Sequence, residues 1–391
     1  MLKEQARVML EERLVPFWSA LRDDEFGGFC GYMDFDLNLD RQAEKGCILN
    51  SRILWFFSRC ASQLGRGDCL KNAEHAYRFL MDHCLDREKG GVYWSLNYDG
   101  SVLDDGKHTY AQAFAIYGLS AYYEAAGDKT ALDAARALFR LIEDRCRDED
   151  GYLEAFTRDF RPASNEKLSE NGVMAQRTMN TLLHVFEGYA GLYQASHDRP
   201  VGAAMERILN IYLTKIYDPA QKRQRVFFDL DYRSLIDLHS YGHDIESSWL
   251  MDWGTALLGK PELTAKVSRV DQALAGPVCL RAFRDSSVLN ECERGVDDTH
   301  RVWWVQAEAV LGFLNAWEKT GEERFRQAAV DVWRYINEVV VDRRPSGEWF
   351  WRVDENGLPD QGKPTVEPWK CPYHNGRMCL EILRRNWDVS C

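Results

Sequence analysis

A short motif recurs six times along the chain and restricts the folds that the chain can adopt. Each copy has a glycine-rich or polar turn, a short run of alternating aromatic or apolar residues and a second turn, which is typical of a β-hairpin. The copies span residues 27–40, 90–105, 151–164, 225–237, 288–297 and 347–360. One copy per roughly 60 residues indicates a repeat architecture.

Two helical patterns lie between successive copies of this motif. Apolar residues spaced by three and four predict one helix after each hairpin and another before it. The helices after the hairpins are predicted at about 45–65, 107–127, 171–196, 240–259, 297–320 and 368–387. The helices before the hairpins are predicted at about 2–22, 68–85, 128–146, 200–217, 260–275 and 321–341. The first set is richer in aromatic and small residues, and the second set is amphipathic and charged.

These patterns predict an all-α fold, an (α/α)6 barrel that forms a toroid of six helical hairpins. Spacing alone also permits an open solenoid, but the difference in composition favours an inner ring made of the first set and an outer ring made of the second. Short β-hairpin loops are then expected at one end, above the N-termini of the inner helices. We expect a single catalytic domain over residues 1–391.

Charge and composition exclude several classes of partner. The chain has 49 Lys and Arg against 61 Asp and Glu, a net charge of −12, and it has no basic run, so nucleic acid and anionic membranes are poor partners. Its uncharged stretches are shorter than the ~20 residues that a membrane span needs. The first 18 residues have an amphipathic pattern and not that of a signal peptide. Eleven scattered cysteines predict reduced thiols, and we expect a cytoplasmic monomer.

Polar residues cluster in the first halves of the predicted inner helices. They are Arg52, His108, Asn180 with His184, His243 with Glu246, Trp304 with Glu308, and His374. In a toroid these side chains converge on one pocket. His243 and Glu246 are three residues apart and share a helix face, which predicts a carboxylate that orients a histidine base. Thirteen tryptophans favour a carbohydrate site, since apolar sugar faces stack on aromatic planes.

Other chemistries have less support. His239 and His243 have the spacing of a metal pair, but no second ligand cluster accompanies them, so no metal is expected. The chain has no glycine-rich nucleotide motif and no nucleophile elbow, so no cofactor is expected. Glu246 and Glu308 could instead be the two carboxylates of an (α/α)6 glycoside hydrolase. A helical binding scaffold is a further alternative, which leaves the converging polar residues unexplained.

Long segments of the chain resemble the N-acylglucosamine 2-epimerase superfamily. The resemblance is carried by KGCILNSRILW (45–55), KHTY (107–110), SENG (169–172), HSYGHDIE (239–246), RVWWVQAE (301–308) and PWKCPYHNGR (368–377). It implies an (α/α)6 barrel and an isomerase without a cofactor. The implied activity interconverts glucose and mannose at C2 of the reducing-end residue of β-1,4-linked disaccharides such as cellobiose or lactose. N-acylglucosamine 2-epimerase and aldose–ketose (mannose) isomerase activities are alternatives within the superfamily.

The resemblance also implies roles for individual residues. His243 and His374 resemble the pair that exchanges the C2 proton, His184 the histidine that helps to open the sugar ring, and Arg52 the arginine that holds the enediolate oxygen. Glu246 is expected to support His243. The residues that resemble substrate-binding positions are Tyr110, Asn180, Trp249, Trp304, Glu308 and Trp369, the last of these near the second sugar. The chain departs from the family pattern at Asn50, where a histidine is expected.

Overall fold

The structure, a computed structural model, describes residues 1–385, Trp387 and Val389. The α-helices of this part of the chain are α1 Leu2–Val8, α2 Val15–Ala20, α3 Cys47–Leu64, α4 Gly67–Phe79, α5 Thr109–Ala126, α6 Lys129–Arg145, α7 Met179–Ser196, α8 Arg199–Ile211, α9 Tyr241–Leu257, α10 Pro261–Pro277, α11 Trp303–Thr320, α12 Glu323–Tyr335 and α13 His374–Arg384. A π-helical segment, Met9–Leu14, joins α1 to α2. Similar segments extend α4, α8, α10 and α12, at Leu80–Cys84, Tyr212–Ile216, Val278–Ala282 and Ile336–Val340.

Six of these helices surround a common axis. Helix α3 packs against α5, α5 against α7, α7 against α9, α9 against α11, α11 against α13, and α13 against α3, so the ring is closed. Each of the first five also packs against the helix that follows it in the chain, and α13 packs against α1. The predictions of a mostly helical chain and of buried helices after the hairpins are confirmed, and the contacts form a ring and not an open solenoid.

Close approach of neighbouring inner helices requires small residues. A Cβ atom on Gly118 would lie 2.6 Å from the Ser51 carbonyl oxygen, and one on Gly188 would lie 2.6 Å from that of Ala113. Both contacts are with the backbone of the preceding inner helix, which cannot move aside as a side chain can. These two glycines therefore set the separation of α3, α5 and α7.

Short strands lie above the N-terminal ends of the inner helices. They are β1 Tyr32–Met33, β2 Leu39–Asp40, β3 Lys45–Gly46, β4 Ser95–Leu96, β5 Val102–Asp104, β6 Lys107–His108, β7 Ala155–Phe156, β8 Arg177–Thr178, β9 Tyr217–Asp218, β10 Arg223–Gln224, β11 Phe227–Phe228, β12 Leu238–Ser240, β13 Phe283–Arg284, β14 Ser287–Val288, β15 Glu291–Glu293, β16 Val296–Asp298, β17 Arg301–Val302 and β18 Arg352–Val353.

Most of these strands pair between copies of the repeat. The strand that leads into an inner helix is antiparallel to a strand of the next copy, in the pairs β3–β4, β6–β7, β8–β11, β12–β15 and β17–β18. A bridge between Met33 and Val366 joins the first copy to the segment that leads into the last inner helix, α13. Because such pairs join distant residues, the periodicity of the sequence predicted the hairpins but not this pairing.

The same pairing explains why several inner helices begin later than predicted. The helices expected from about 171, 297 and 368 begin at Met179, Trp303 and His374. Residues just before the first two helices are extended because they pair with the neighbouring copy. The last helix ends at Arg384, and Asn386, within its predicted range, lies outside the described residues.

Buried polar contacts fasten the hairpins to the inner helices. Gln112 accepts a hydrogen bond from the Val92 N–H at 2.6 Å and donates to the Val92 carbonyl. Asn50 has the same function, because its Oδ1 accepts from the Phe29 N–H at 3.0 Å. Asn50 thus holds the first hairpin, and a buried ion pair between Lys45 and Asp23 at 2.6 Å lies beside it. Asn50 therefore has a structural function at the position where a histidine was expected.

The cysteines and the helix lengths can also be compared with the predictions. All the cysteines among the described residues are free thiols, and only Cys279 and Cys292 are not fully buried. In the same part of the chain, every helix is too short or too polar to cross a lipid bilayer.

Candidate active site

A cavity of about 230 Å³ opens at the N-terminal end of the inner ring. Predicted site residues that line it are Arg52, Tyr110, Asn180, His184, His243, Glu246, Trp304, Trp369 and His374. Further lining residues come mainly from the hairpins and the loops before the inner helices, and they are Leu168, Glu170, Ser240, Asn290, Glu291, Val302, Trp303, Trp351 and Arg352. The helix ring therefore brings most of the predicted residues together, while the loops supply aromatic and acidic side chains that the sequence did not single out.

His243 is held by a hydroxyl group and not by a carboxylate. Its Nδ1 lies 2.7 Å from Ser240 Oγ, and its ring centroid lies 4.9 Å from that of Trp304. The prediction that Glu246 orients His243 is wrong. Although the two residues share a helix face, Glu246 Oε1 is bound by Arg377. Burial lowers the pKa of His243 to about 3, so the imidazole is neutral at physiological pH and can act as a base.

His374 is held by a carboxylate from the preceding inner helix, α11. Its Nδ1 lies 2.7 Å from Glu308 Oε1, and its ring lies 5.3 Å from the Trp304 ring that also contacts His243. Burial lowers the pKa of His374, and the positive charges of Arg377 and Arg52 lower it further. Since Nδ1 is engaged by Glu308, Nε2 is the ring nitrogen that remains for a substrate.

His184 has the same arrangement as His374. Its Nδ1 lies 2.9 Å from Glu187 Oε2, three residues later on α7, and its ring lies 5.1 Å from that of Tyr110. The pKa of His184 is lowered by burial, and the Glu187 carboxylate partly opposes this effect. The three-residue spacing from which we predicted a bond between His243 and Glu246 is therefore found instead between His184 and Glu187.

Arg52 carries a buried positive charge that faces the cavity. Its Nη2 donates to Tyr110 Oη at 2.7 Å, and the guanidinium carbon lies 4.1 Å from the Phe114 ring centroid. Its Nε atom has no hydrogen-bond partner. Among the described residues no carboxylate lies within ion-pair distance of Arg52, which leaves the guanidinium available to an anionic oxygen.

The carboxylates of the site converge on Arg377, a residue that the sequence did not single out. This buried guanidinium donates through Nη1 to Glu187 Oε1 and through Nη2 to Glu246 Oε1 and Glu308 Oε1. Burial raises the pKa of Glu246 to about 8, and the nearby charge of Glu308 adds to this effect. Burial also raises the pKa of Glu187, but Arg377, His184 and Tyr373 together outweigh it, and the pKa falls to about 2. Arg377 lies three residues after His374 on the same helix, and this spacing is the sequence signal that could have identified it.

Two of the predicted substrate-binding residues lie behind the cavity wall. Glu308 and Trp249 are not among the lining residues. Trp249 Nε1 donates to Glu308 Oε2 at 2.8 Å, and its ring lies 4.9 Å from the Arg377 guanidinium carbon. Both side chains are placed to support His374 and Arg377. Asn180, by contrast, lines the cavity, and its Oδ1 has no protein partner.

Histidines outside the cavity have structural partners. His239 Nε2 lies 2.8 Å from Asp244 Oδ2, and His108 Nε2 lies 2.9 Å from Asn165 Oδ1. Neither residue is among those that line the cavity, and His239 and His243, whose spacing permits a metal pair, have different partners, Asp244 and Ser240.

One group of side chains has the composition of a cation site. Ligand atoms of Glu246, Glu308 and His374 lie within 4.8 Å of one another. However, Arg377 Nη2 already donates to Glu246 Oε1 and Glu308 Oε1. A metal ion bound by these atoms would have to displace the guanidinium, so the donor set fits Arg377 better than it fits a metal.

Comparisons with known proteins agree with this geometry. The family model of N-acylglucosamine 2-epimerase (GlcNAc 2-epimerase) matches residues 27–375. The chain belongs to the N-acylglucosamine 2-epimerase family. It is 49% identical to cellobiose 2-epimerase of Eubacterium cellulosolvens over the whole of both chains.

Solved structures of this family have the same fold. A sugar epimerase from a ruminal bacterium is 46% identical, with a TM-score of 0.98 over the whole of both chains. Cellobiose 2-epimerase from Bacillus thermoamylovorans B4167 is 41% identical, with a TM-score of 0.95 over 98% of this chain and 99% of the other.

Proposed function

We propose that the chain is a carbohydrate epimerase that interconverts glucose and mannose at C2 of the reducing-end residue of β-1,4-linked disaccharides. Cellobiose would then yield glucosyl-mannose. The observation that carries the proposal is that the rings of His243 and His374 both contact one indole, that of Trp304, in a single cavity. The identity with cellobiose 2-epimerases over the full chain supports the choice of substrate.

The reaction begins with opening of the sugar ring, which exposes an aldehyde beside C2. A base then removes the C2 proton, and an enediolate forms. A second group must protonate the opposite face, because a single base returns the proton to the face from which it came. His184 is suited to the first step and the pair His243 and His374 to the other two, since all three side chains line the cavity and burial lowers the pKa of each imidazole.

Arg52 is suited to stabilise the enediolate. Its charge is buried beside aromatic rings and has Tyr110 as a neutral partner. A preorganised donor in such an environment acts strongly on the developing negative charge and needs no reorganisation during the reaction. In this proposal Arg52 supplies the stabilisation for which other enzymes use a metal ion.

His374 can work in both directions because of Glu308. When Glu308 is ionised it accepts a hydrogen bond from Nδ1–H, and Nε2 is a base. Burial raises the pKa of Glu308, which favours its protonated form. In that form the carboxyl group donates to Nδ1, and as the Nε2 proton passes to C2 the Glu308 proton moves to Nδ1, so the imidazole stays neutral. The 2.7 Å distance permits either state.

The same carboxylates do not suit an inverting glycoside hydrolase. Such enzymes place two carboxyl groups about 6.5–9.5 Å apart with a water molecule between them. Oxygen atoms of Glu246 and Glu308 lie within 4.8 Å of each other, and both are bound by Arg377. Glu308 is also outside the cavity lining, so this pair has no room for the attacking water.

The wider proposal is a single catalytic domain over residues 1–391, folded as an (α/α)6 barrel, that acts as a cytoplasmic monomer. Trp369 is proposed to contact the second sugar, since it lines the cavity and its ring lies 6.0 Å from that of Trp94. Lactose, another β-1,4-linked disaccharide, is an expected second substrate.

The experiment that tests the proposal is NMR of cellobiose incubated with the purified protein. We expect the signals of a reducing-end mannose residue in a disaccharide of unchanged mass. Free glucose would indicate hydrolysis, and a ketose at the reducing end would indicate an isomerase; either result as the main reaction would contradict the proposal. Free mannose and N-acetylglucosamine serve as comparison substrates, and we expect slower turnover of both.

A further inference from the structure

One side chain connects both carboxylate-bound histidines of the site. Glu187 holds His184 Nδ1 at 2.9 Å, and Glu308 holds His374 Nδ1 at 2.7 Å. Arg377 donates to both carboxylates, through Nη1 to Glu187 Oε1 and through Nη2 to Glu308 Oε1, the oxygen that also contacts His374. The two histidines lie on α7 and α13, so a single guanidinium on α13 joins them through their partners.

We infer that Arg377 is the positioning residue of this site: its forked guanidinium fixes the carboxylates of Glu187 and Glu308, and through them the orientations of His184 and His374. The inference rests on the proposed function, in which these two histidines handle protons. Arg377 is not among the residues that line the cavity, and it would therefore act on the reaction without touching the sugar.

The chemistry of the group supports this role. Arginine presents several N–H donors in a rigid planar fork, whereas lysine is a compact point charge on a flexible stem. Arg377 uses both terminal nitrogens, and it also donates to Tyr373 Oη. Its surroundings hold it in one orientation, because the guanidinium carbon lies 4.2 Å from the Tyr373 ring and 4.9 Å from the Trp249 ring. A lysine could neutralise the carboxylates, but an ammonium group on a flexible stem would not hold two of them in fixed orientations as the planar fork does.

The first test is the conservative variant Arg377→Lys, assayed with cellobiose. Misplacement of a catalytic group by about 1 Å can cost ~100-fold in rate, so we expect kcat to fall by about that factor while KM changes little. The control is Arg384→Ala on the same helix, where the side chain pairs with Glu381 at the surface; it should retain the wild-type kcat. A kcat near that of the wild type in Arg377→Lys, or a loss confined to KM, would overturn the inference.

Chemical rescue separates positioning from general stability. In Arg377→Ala, added guanidinium at a non-denaturing concentration should restore part of kcat, and sodium chloride at equal ionic strength should not. Behind Arg377 lies a small space lined by Trp55, Tyr117 and Trp253, which gives the ion a place to enter. A folded variant that guanidinium fails to rescue would count against the inference.

A further test leaves Arg377 in place, in case neither variant folds. Glu187→Gln and Glu308→Gln each remove one charged arm of the network. Residues in one network have non-additive effects, so the loss of kcat in the double variant should differ from the product of the two single losses. Losses that simply multiply would refute the coupling. If the wild type forms no glucosyl-mannose in these assays, the proposed function fails instead.

Discussion

The two histidines proposed to exchange the C2 proton are held by different kinds of partner, and this difference predicts unequal effects of mutation. The partner of His243 is the neutral hydroxyl group of Ser240, at 2.7 Å. The partner of His374 is the carboxylate of Glu308, at the same distance. We therefore expect Glu308→Gln to reduce epimerisation much more than Ser240→Ala.

The magnitudes follow from the strengths of the two bonds. A hydrogen bond between neutral groups contributes about 0.5–1.5 kcal/mol net, and one to a charged group about 1.5–3 kcal/mol. Because 1.36 kcal/mol in the barrier is a factor of ten in rate, Ser240→Ala should lower kcat about 2- to 10-fold and Glu308→Gln about 10- to 150-fold. Trp249 also donates to Glu308, so the second variant should lose some thermal stability as well.

The assay is the initial rate of glucosyl-mannose formation from cellobiose, with circular dichroism melts of each variant. Glu318→Gln is the matched control, since Glu318 lies on the same helix as Glu308 and is half exposed. It should keep the wild-type rate. A Ser240→Ala variant that loses as much activity as Glu308→Gln, at an unchanged melting temperature, would refute this account of how the two rings are held.

Further predictions concern the histidines, metal and pH. His243→Ala and His374→Ala should each lower turnover by ~10²–10⁴-fold with the fold intact by circular dichroism, whereas His197→Asn at the exposed end of α7 should have little effect; near-normal activity of either alanine variant would contradict the two-histidine mechanism. Activity should survive exhaustive EDTA treatment, because Arg52 is the proposed charge stabiliser, and loss with recovery on adding a divalent ion would contradict this. Since burial lowers the pKa of His243 to about 3, kcat/KM should not fall as the pH drops through 6.5. The same shift leaves the stability of the fold unaffected above pH ~6.5 and lowers it as the pH falls toward 3, because the unfolded chain binds a proton that buried His243 does not; acid unfolding monitored by tryptophan fluorescence can measure this loss.

The ring of helices could be predicted because each helix has a local sequence pattern and the pattern repeats six times along the chain. Apolar spacing indicated each helix, and the different compositions of the two sets indicated which helices are buried. The positions of Arg52, His184, His243 and His374 near the N-termini of different inner helices then followed from the symmetry of the repeat. The pairing of strands between copies did not follow, because it joins residues that are distant along the chain.

The partner of each histidine was harder to predict than its location. Spacing of i and i+3 places two residues on one helix face, but it does not show which of several nearby groups binds the carboxylate. Glu246 shares a face with His243, yet the buried guanidinium of Arg377 binds it because a charged donor outcompetes a neutral imidazole. The serine that binds His243 is also three residues away, but it is the last residue of the strand before the helix.

The most direct test of the central claim is epimerisation of cellobiose in D₂O. If one imidazole removes the C2 proton and another protonates the opposite face, the donated atom comes from a group that exchanges with solvent. We therefore expect deuterium at C2 of the reducing-end mannose and none on the non-reducing glucose, measured by NMR and mass spectrometry of the disaccharide. Glucosyl-mannose that retains protium at C2 from the earliest times would contradict proton exchange between His243 and His374.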